Sequence, residues 1–173
     1  ASVFGGKVNI GRARGFIPEG SSRQMTEKRF IETMREICDI AGQYNVEMIL
    51  EPVNRYEINF INSVDEGAAV LEQVGRTNCG LQPDVFHMNI EDDDIGKSLM
   101  RNKKWIRYVH LADSNRYAPG MGHIDFQGVF DALRMADYDG WVSVEILPGE
   151  DPDKMAKTSI QYLKPLIQQY NKS

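Results

Sequence analysis

Segments typical of β-strands alternate with segments typical of helices along the whole of this 173-residue chain. Five short apolar runs are each followed by a stretch whose apolar residues recur at helical spacing. The expected strands are 3–10, 46–50, 79–85, 106–111 and 141–146. Parallel strands need a crossover connection, which is usually a helix. The chain is therefore predicted to be an α/β protein with a parallel sheet of five βα units.

Local signals indicate where several helices begin or bend. Ser63 stands three residues before Glu66, which is the capping-box pattern at a helix N-terminus. Asp125 precedes a series of apolar residues at helical spacing and is expected to cap that helix. The acidic run 91–94 is expected at the start of a shorter helix over about 95–102. Pro165 is expected to kink the last helix, because proline lacks the backbone donor.

The number of βα units limits the possible architecture. A (β/α)₈ barrel needs eight units and typically about 250 residues, so this chain is too short to close one alone. An open doubly wound sheet has the right size, but its binding residues cluster at one switch point. Polar residues here recur after four consecutive strands, which favours an incomplete TIM-type barrel. No linker or low-complexity segment interrupts residues 1–173, which are predicted to form a single domain.

Four residues of types that bind metals lie at or near the ends of the last four expected strands. They are Glu51, Asp84, His110 and Glu145, separated by 33, 26 and 35 residues. A strand with its crossover helix takes roughly 30 residues. Because the carboxyl ends of parallel strands meet at one rim, we expect these side chains to converge. Each residue alone has an ordinary alternative, such as a loop carboxylate, a turn cap or a core histidine.

Three carboxylates and one imidazole form an oxygen-rich ligand set without a thiolate. Such a set suits Mn²⁺, with Mg²⁺ or Co²⁺ as alternatives, better than a structural zinc site. Nearby, His87 could hydrogen-bond a substrate oxygen or be a surface histidine. Arg116 could polarise a substrate carbonyl or only pair with Asp113, and Glu57 could equally be a solvated loop residue.

Composition argues against several classes of protein. The formal net charge of −5 disfavours nucleic-acid binding, because phosphate-binding surfaces are usually basic. No apolar stretch approaches the roughly 18 residues of a membrane span, and no signal peptide is recognisable. Cys38 and Cys79 form no Cys-x-x-Cys pattern and are expected to be reduced core thiols. These features predict a cytoplasmic protein that binds neither nucleic acid nor membrane.

Four motifs resemble those of the ketose 3-epimerases, the family of D-tagatose and D-psicose 3-epimerases. The motifs are LEPVNRYE at 50–57, DVFHMNIE at 84–91, HLADSNR at 110–116 and GWVSVE at 140–145. This family is part of the wider xylose-isomerase-like superfamily of TIM barrels. The resemblance covers nearly the whole chain and corresponds to the C-terminal part of such a barrel, with about three units absent. Pro83 and Val85 depart from the family pattern without removing a functional group.

The resemblance implies an activity and a role for each candidate residue. The implied metal ligands are Glu51, Asp84, His110 and Glu145. The implied substrate-binding residues, near the C1 and C2 oxygens, are Glu57, His87 and Arg116. The two glutamates are also implied to be the acid–base pair that removes the C3 proton of a ketose from one face and returns it to the other through an enediolate. The implied substrate is a small ketose or sugar phosphate.

Several alternatives stay open at this point. The same residues could serve a related sugar isomerase or a dehydratase, such as a hydroxypyruvate isomerase or an inosose-processing enzyme. A nuclease of the endonuclease IV type would need a histidine-rich zinc cluster, and three histidines with a net charge of −5 argue against it. An inactive metal-binding half-barrel is the non-enzyme alternative. An unclosed barrel exposes two strand edges, so we expect a homo-oligomer or association with the missing N-terminal part.

Overall fold

The computed structural model describes residues 1–170, so the last three residues of the predicted domain 1–173 lie outside the described part. The strands are β1 (Lys7–Ile10), β2 (Glu47–Leu50), β3 (Cys79–Leu81), β4 (Val109–Leu111) and β5 (Val142–Val144). The helices are α1 (Arg23–Gly42), α2 (Val64–Val74), α3 (Val85–Glu91), α4 (Ile95–Arg101), α5 (Phe126–Met135) and α6 (Pro152–Tyr170). Short 3₁₀ turns cover Ser2–Phe4, Arg12–Arg14 and Lys103–Trp105. The predicted order of five strands with intervening helices is confirmed.

All strand pairs are parallel and follow the order of the chain. One ladder joins β1, β2 and β3, and a second joins β4 and β5. Two isolated parallel bridges, Leu81 with Ile106 and Asp84 with His110, connect β3 to the β4 segment. The carboxyl ends of all five strands therefore lie on one rim, as expected for part of a (β/α) barrel.

Strand boundaries differ from the prediction at both ends of the first ladder. The sequence predicts Val3 and Phe4 in the first strand, but they lie exposed in a 3₁₀ turn that ends at Gly5, where φ is +64°. The third strand was expected to reach residue 85, yet it ends at Leu81. The side chain of Asp84 accepts the Phe86 N–H at 2.9 Å and so caps α3, a helix that the sequence pattern did not reveal.

The predicted N-caps are confirmed by their hydrogen bonds. Ser63 accepts the Glu66 N–H at 3.2 Å, and Asp125 accepts the Gly128 N–H at 3.0 Å. Asp94, the last residue of the acidic run, caps α4 through the Lys97 N–H. Satisfied caps fix where each helix starts, and hence how each helix lies on the sheet.

The helices bury one face of the sheet and leave the opposite face open. Met34, Leu71, Leu99 and other apolar residues of the helices pack into one core with the apolar residues of the strands. Burial of this area is the main stabilising term, at roughly 25 cal/mol per Å². The opposite face borders an open cavity of about 650 Å³, whose lining includes Asn9 and Gln82. This inner face, which includes His110, leads to the rim that carries the candidate site.

Two predictions from composition can be compared with the structure. Cys38 and Cys79 are both buried free thiols, as expected. Among the described residues, no helix is long and apolar enough to cross a membrane. The apolar run 141–146 also predicts a buried fifth strand, and this prediction is wrong, because all three residues of β5 are only half-buried. β5 ends the sheet and has a strand neighbour on one side only within the described chain.

Candidate metal centre

The structure brings together the four residues that the sequence indicated as metal ligands. Glu51 follows β2, Asp84 lies between β3 and α3, His110 is in β4, and Glu145 follows β5. One ligand atom from each lies within 4.8 Å of the others. Nδ1 of His110 is 3.4 Å from Oε1 of Glu51, 3.9 Å from Oδ2 of Asp84 and 3.3 Å from Oε2 of Glu145. The geometry follows from parallel strands in chain order, each delivering one side chain to the same rim.

The polar atoms of this cluster fit a divalent cation. Oε1 of Glu51 is buried and makes no hydrogen bond to any described residue, and Asp84 is 1% exposed. A buried carboxylate oxygen without a partner is unfavourable, and a cation among the four ligand atoms would supply that partner. The donors are three carboxylates and one imidazole, which suit an oxygen-preferring ion such as Mn²⁺ or Mg²⁺.

The ionisation of the cluster also favours a positive charge at its centre. Burial lowers the pKa of His110, but its close contacts with the carboxylates of Glu145 and Glu51 outweigh burial and raise the pKa to about 10. The same contact with His110 is the main reason that the pKa of Glu145 falls to about 2. Burial raises the pKa of Asp84 to about 6, although Arg116 opposes this shift. The negative potential of the carboxylates, which raises the pKa of His110, also favours a divalent cation, and His110 would have to lose its proton to bind that cation.

Two neutral amides on the inner face of the sheet orient the ligands. Nδ2 of Asn9 donates to Oε2 of Glu51 at 2.7 Å. Nε2 of Gln82 lies 3.0 Å from both ring nitrogens of His110. Partners of this kind hold metal ligands in position. Neither amide was identified from the sequence, although each is a polar residue within or directly after an apolar strand.

Arg116 joins two of the candidate ligands. Its Nη1 donates to Oδ2 of Asp84 at 2.5 Å, and its Nη2 donates to the carboxylate of Glu145. The guanidinium also lies 4.7 Å from the ring centre of Phe86. The alternative in which Arg116 pairs with the Asp113 carboxylate is therefore wrong. Arg116 lies at the rim, inside the carboxylate cluster.

Asp113, in the same loop, binds backbone N–H groups instead of Arg116. It is 1% exposed, and its carboxylate accepts the backbone N–H groups of Ser114 at 2.8 Å, Gly120 at 2.8 Å and Ile124 at 3.1 Å. Burial opposes ionisation, but these bonds outweigh it and lower the pKa of Asp113. The charged side chain thus shapes the loop that presents Arg116.

His87, Asn54 and Glu57 form a hydrogen-bonded row beside the cluster. His87 is 4% exposed, so the alternative that it is a surface histidine is wrong. Nδ2 of Asn54 lies 2.8 Å from Nδ1 of His87 and 3.1 Å from Oε1 of Glu57. Burial, aided by Arg116, lowers the pKa of His87 to about 4. His87 is therefore neutral, and because an amide nitrogen only donates, its proton lies on Nε2.

Residues 2–166 match the family model described as xylose isomerase-like TIM barrel, and the chain belongs to this family. It is 36% identical to the L-ribulose 3-epimerase of Methylomonas sp. (strain DH-1) over 147 residues, which are 84% of this chain and 51% of that protein. It is 35% identical to the D-psicose 3-epimerase of Ruminiclostridium cellulolyticum over 118 residues, 68% of this chain and 40% of that one.

Solved structures show the same relationship. The structure of an L-ribulose 3-epimerase superposes with a TM-score of 0.85 and 26% identity, covering 95% of this chain and 63% of its own. The D-allulose 3-epimerase of Methylomonas sp. gives a TM-score of 0.85 with 29% identity. The chain spans about half the length of the first curated relatives that it matches. It therefore corresponds to part of a barrel of this family.

Proposed function

We propose that this chain carries the metal centre and both acid–base groups of a ketose 3-epimerase. The observation that carries the proposal is the convergence of Glu51, Asp84, His110 and Glu145 within 4.8 Å at one rim of the sheet. Relatives named L-ribulose, D-psicose and ketose 3-epimerase support the reaction. These four residues would hold the cation, with Mn²⁺ as the expected ion. When bound, it supplies a Lewis acid that stabilises negative charge on the substrate oxygens.

The proposal assigns the two proton transfers of inversion to the two glutamates. Glu51 comes from β2 and Glu145 from β5, and both lie within 3.4 Å of the same nitrogen of His110. One carboxylate takes the C3 proton from one face of the ketose, and the other returns a proton to the opposite face. The hydrogen bond from Asn9 fixes the direction of the Glu51 carboxylate. Epimerisation at C3 follows when the two faces are served by different groups.

The row of His87, Asn54 and Glu57 would bind the sugar. Neutral His87 offers its Nε2–H as a donor to a carbonyl or hydroxyl oxygen, and Glu57 offers acceptors to hydroxyl groups. Asn54 holds these two side chains relative to each other. Arg116, beside the cluster, would add a charged donor to the substrate oxygens. Such a site selects a small polyhydroxy carbonyl compound.

A proton-exchange assay tests the proposal. This chain and the product of the entire gene are incubated with Mn²⁺ and a panel of ketoses in D₂O, and products are followed by NMR. We expect deuterium at C3 together with the C3 epimer, whereas an aldose–ketose isomerase would place deuterium at C1 or C2. Glu145→Gln should abolish the exchange, and the exposed Glu72→Gln should leave it unchanged. A protein that binds Mn²⁺ but exchanges no ketose proton would contradict the proposal.

Association with other chains stays a prediction. Within residues 1–170, β1 and β5 each have one edge without a strand neighbour. Near β1 the apolar side chains of Val8, Ile40 and Tyr44 are exposed. Exposed strand edges and apolar patches favour association with another protein surface. Sedimentation velocity over a range of concentrations would distinguish a monomer from the expected homo-oligomer.

A further inference from the structure

Arg14 makes a set of contacts that neither the metal centre nor the substrate row explains. It is the last residue of the 3₁₀ turn Arg12–Arg14, which follows β1. Its guanidinium donates to four backbone carbonyls, each at 2.8 Å: those of Gly11, Glu51, Phe60 and Ile61. Among the described residues, no carboxylate forms an ion pair with it. All four hydrogen bonds of Arg14 thus go to backbone in the two loops that follow β1 and β2.

One of these carbonyls belongs to Glu51, the candidate base. The Glu51 N–H already donates to the Ile10 carbonyl at 3.2 Å, as the last rung of the ladder between β1 and β2. In a parallel ladder the next donor, to the Glu51 carbonyl, would be the amide of residue 12. The chain has turned away at that point, and Nη1 of Arg14 takes the place of the missing amide. Both backbone polar groups of Glu51 are therefore held.

The other contacts restrain the far end of the loop that begins at Glu51. Ile61 has a φ of +59°, a conformation that is unfavourable for a β-branched residue. Its carbonyl accepts both Nη2 of Arg14 and the Val53 N–H. The bond from Arg14 to Phe60 lies directly beside it. One side chain thus ties the start of the loop, residue 51, to its end, residues 60 and 61.

The turn that carries Arg14 also borders the carboxylate itself. A Cβ at Gly11 would lie 3.1 Å from Oε2 of Glu51, so the backbone approaches the carboxylate closely. The same oxygen accepts the hydrogen bond from Asn9. A shift of the turn would therefore move the backbone of Gly11 relative to the Glu51 carboxylate.

We propose that Arg14 is a positioning residue for Glu51, which fixes the backbone of the candidate base and the loop 51–61 by bonding to their carbonyls. The inference rests on the proposed function only in taking Glu51 as a metal ligand and base. Arg14 itself touches neither substrate nor cation. Its planar guanidinium spans four acceptors at once, which the ammonium of lysine cannot do.

A matched pair of substitutions tests this role. Arg35 on α1 also donates its guanidinium to backbone carbonyls, those of Gln73 and Val74 at the end of α2, and not to a residue of the candidate metal centre. Arg14→Lys and Arg35→Lys therefore remove the same kind of bond in two places. For each variant we would measure Mn²⁺ affinity by calorimetry, amide hydrogen exchange of residues 51–61, and kcat and KM for ketose epimerisation. Thermal unfolding monitors the global fold.

We expect Arg14→Lys to weaken Mn²⁺ binding about tenfold, in the range for residues that orient metal ligands. Exchange in residues 51–61 should accelerate at least about tenfold, and kcat should fall by more than KM changes. Arg35→Lys should leave all three within about twofold, even if both variants lose similar thermal stability. Equal behaviour of the two variants would overturn the positioning role.

The outcomes separate this inference from the proposed function. If the unaltered chain binds Mn²⁺ but epimerises no ketose, the affinity and exchange differences between the variants still decide the role of Arg14. If the unaltered chain is active and Arg14→Lys matches Arg35→Lys, the epimerase stands and the positioning role falls. Should Arg14→Lys not fold, Arg14→Gln is measured in its place. Failure of both to fold, while Arg35→Lys folds, would assign Arg14 a purely structural role and overturn the inference.

Discussion

Glu51 and Glu145 lie at similar distances from His110, yet their surroundings differ. The side chain of Glu51 is 9% exposed and that of Glu145 is 50% exposed. Glu51 follows a strand with neighbours on both sides, and Asn9 and Arg14 bond its carboxylate and its carbonyl. Glu145 follows the terminal strand β5, and its carboxylate is bonded by Arg116, a residue of the loop after β4.

The difference shows how one rim can carry two unequal halves of a site. In the inner half, around β2, the regular sheet fixes the ligand before any cation or substrate binds. In the outer half, around β5, a loop and an arginine do so, and solvent has access to the carboxylate. A charge interacts more strongly with a cation when water is excluded. The two glutamates should therefore respond differently to equivalent substitutions.

The largest expected difference concerns metal affinity. Removal of a residue that supports a metal ligand typically lowers the metal affinity roughly 10- to 100-fold. We expect the loss for Glu51→Gln to exceed this range and the loss for Glu145→Gln to fall within it, since only Glu51 acts from a buried position. Calorimetric titration with Mn²⁺ measures both. Equal losses would show that burial does not distinguish the two ligands.

Arg116 connects the two halves, and its removal should lower stability. Asp84 is fully buried at its side chain, and Arg116 is its only arginine or lysine partner in the described chain. Arg116→Gln leaves this carboxylate without that partner, and we expect a loss of about 3 kcal/mol in the free energy of unfolding. Urea unfolding in EDTA measures it. The control is Lys104→Gln, which breaks an exposed pair with Glu72 and should change stability by less than about 0.5 kcal/mol.

The outer half also depends on the loop that Asp113 shapes. Asp113→Asn leaves one acceptor oxygen where the carboxylate now accepts three backbone N–H groups. We expect a loss of about 2 kcal/mol in the free energy of unfolding, because a buried donor is left without a partner. Mn²⁺ affinity should fall together with stability, since this loop carries Arg116. An unchanged affinity would mean that the outer half does not need this loop.

The smallest expected effect concerns Asp92 and Asp93, a more buried and an exposed carboxylate outside the site. Burial raises the pKa of Asp92 to about 6, while bonding to Arg101 lowers the pKa of exposed Asp93. The folded chain thus binds a proton at Asp92 more tightly than the unfolded chain. This contribution to stability is complete below about pH 4 and is lost as the pH rises through 6.

We expect Asp92→Asn to raise the free energy of unfolding by about 1 kcal/mol at pH 7, since Asn is uncharged and can still accept the Ser98 hydroxyl. The gain should shrink as the pH falls towards 4. Asp93→Asn should show no gain at pH 7, because it loses an exposed ion pair. Chemical unfolding at several pH values measures both variants. A stability difference that does not change with pH would contradict a raised pKa at Asp92.

The cluster of Glu51, Asp84, His110 and Glu145 could be predicted from the sequence because strand ends are recognisable and parallel strands converge. The amides that hydrogen-bond to this cluster and to His87 could not be predicted. Asn9, Gln82 and Asn54 gain their roles only from neighbours between 28 and 42 residues away. Arg14 bonds to backbone carbonyls, and because every residue has one, the identity of the residues does not show which carbonyls accept these bonds.

Two errors in the predicted elements also have physical causes. Val85 is β-branched and fits a strand, but the preceding Asp84 caps a helix there, and the cap decides the boundary. The apolar residues of the run 141–146 predict a buried strand. The sequence does not show that β5 has a strand neighbour on one side only in the described chain, which leaves its residues half-buried. Pairing partners are a tertiary property that local patterns do not contain.

The order of the strands has a consequence for how this chain folds. Each described strand pairs only with strands that are adjacent in the chain. The ladder pairs nevertheless join residues between 31 and 40 positions apart, and parallel pairing over such separations is slow to form. During synthesis each new βα unit can add to the units already formed, from the N-terminus onward. Of the five described strands, β5 emerges last, and Glu145 after it completes the four-residue cluster.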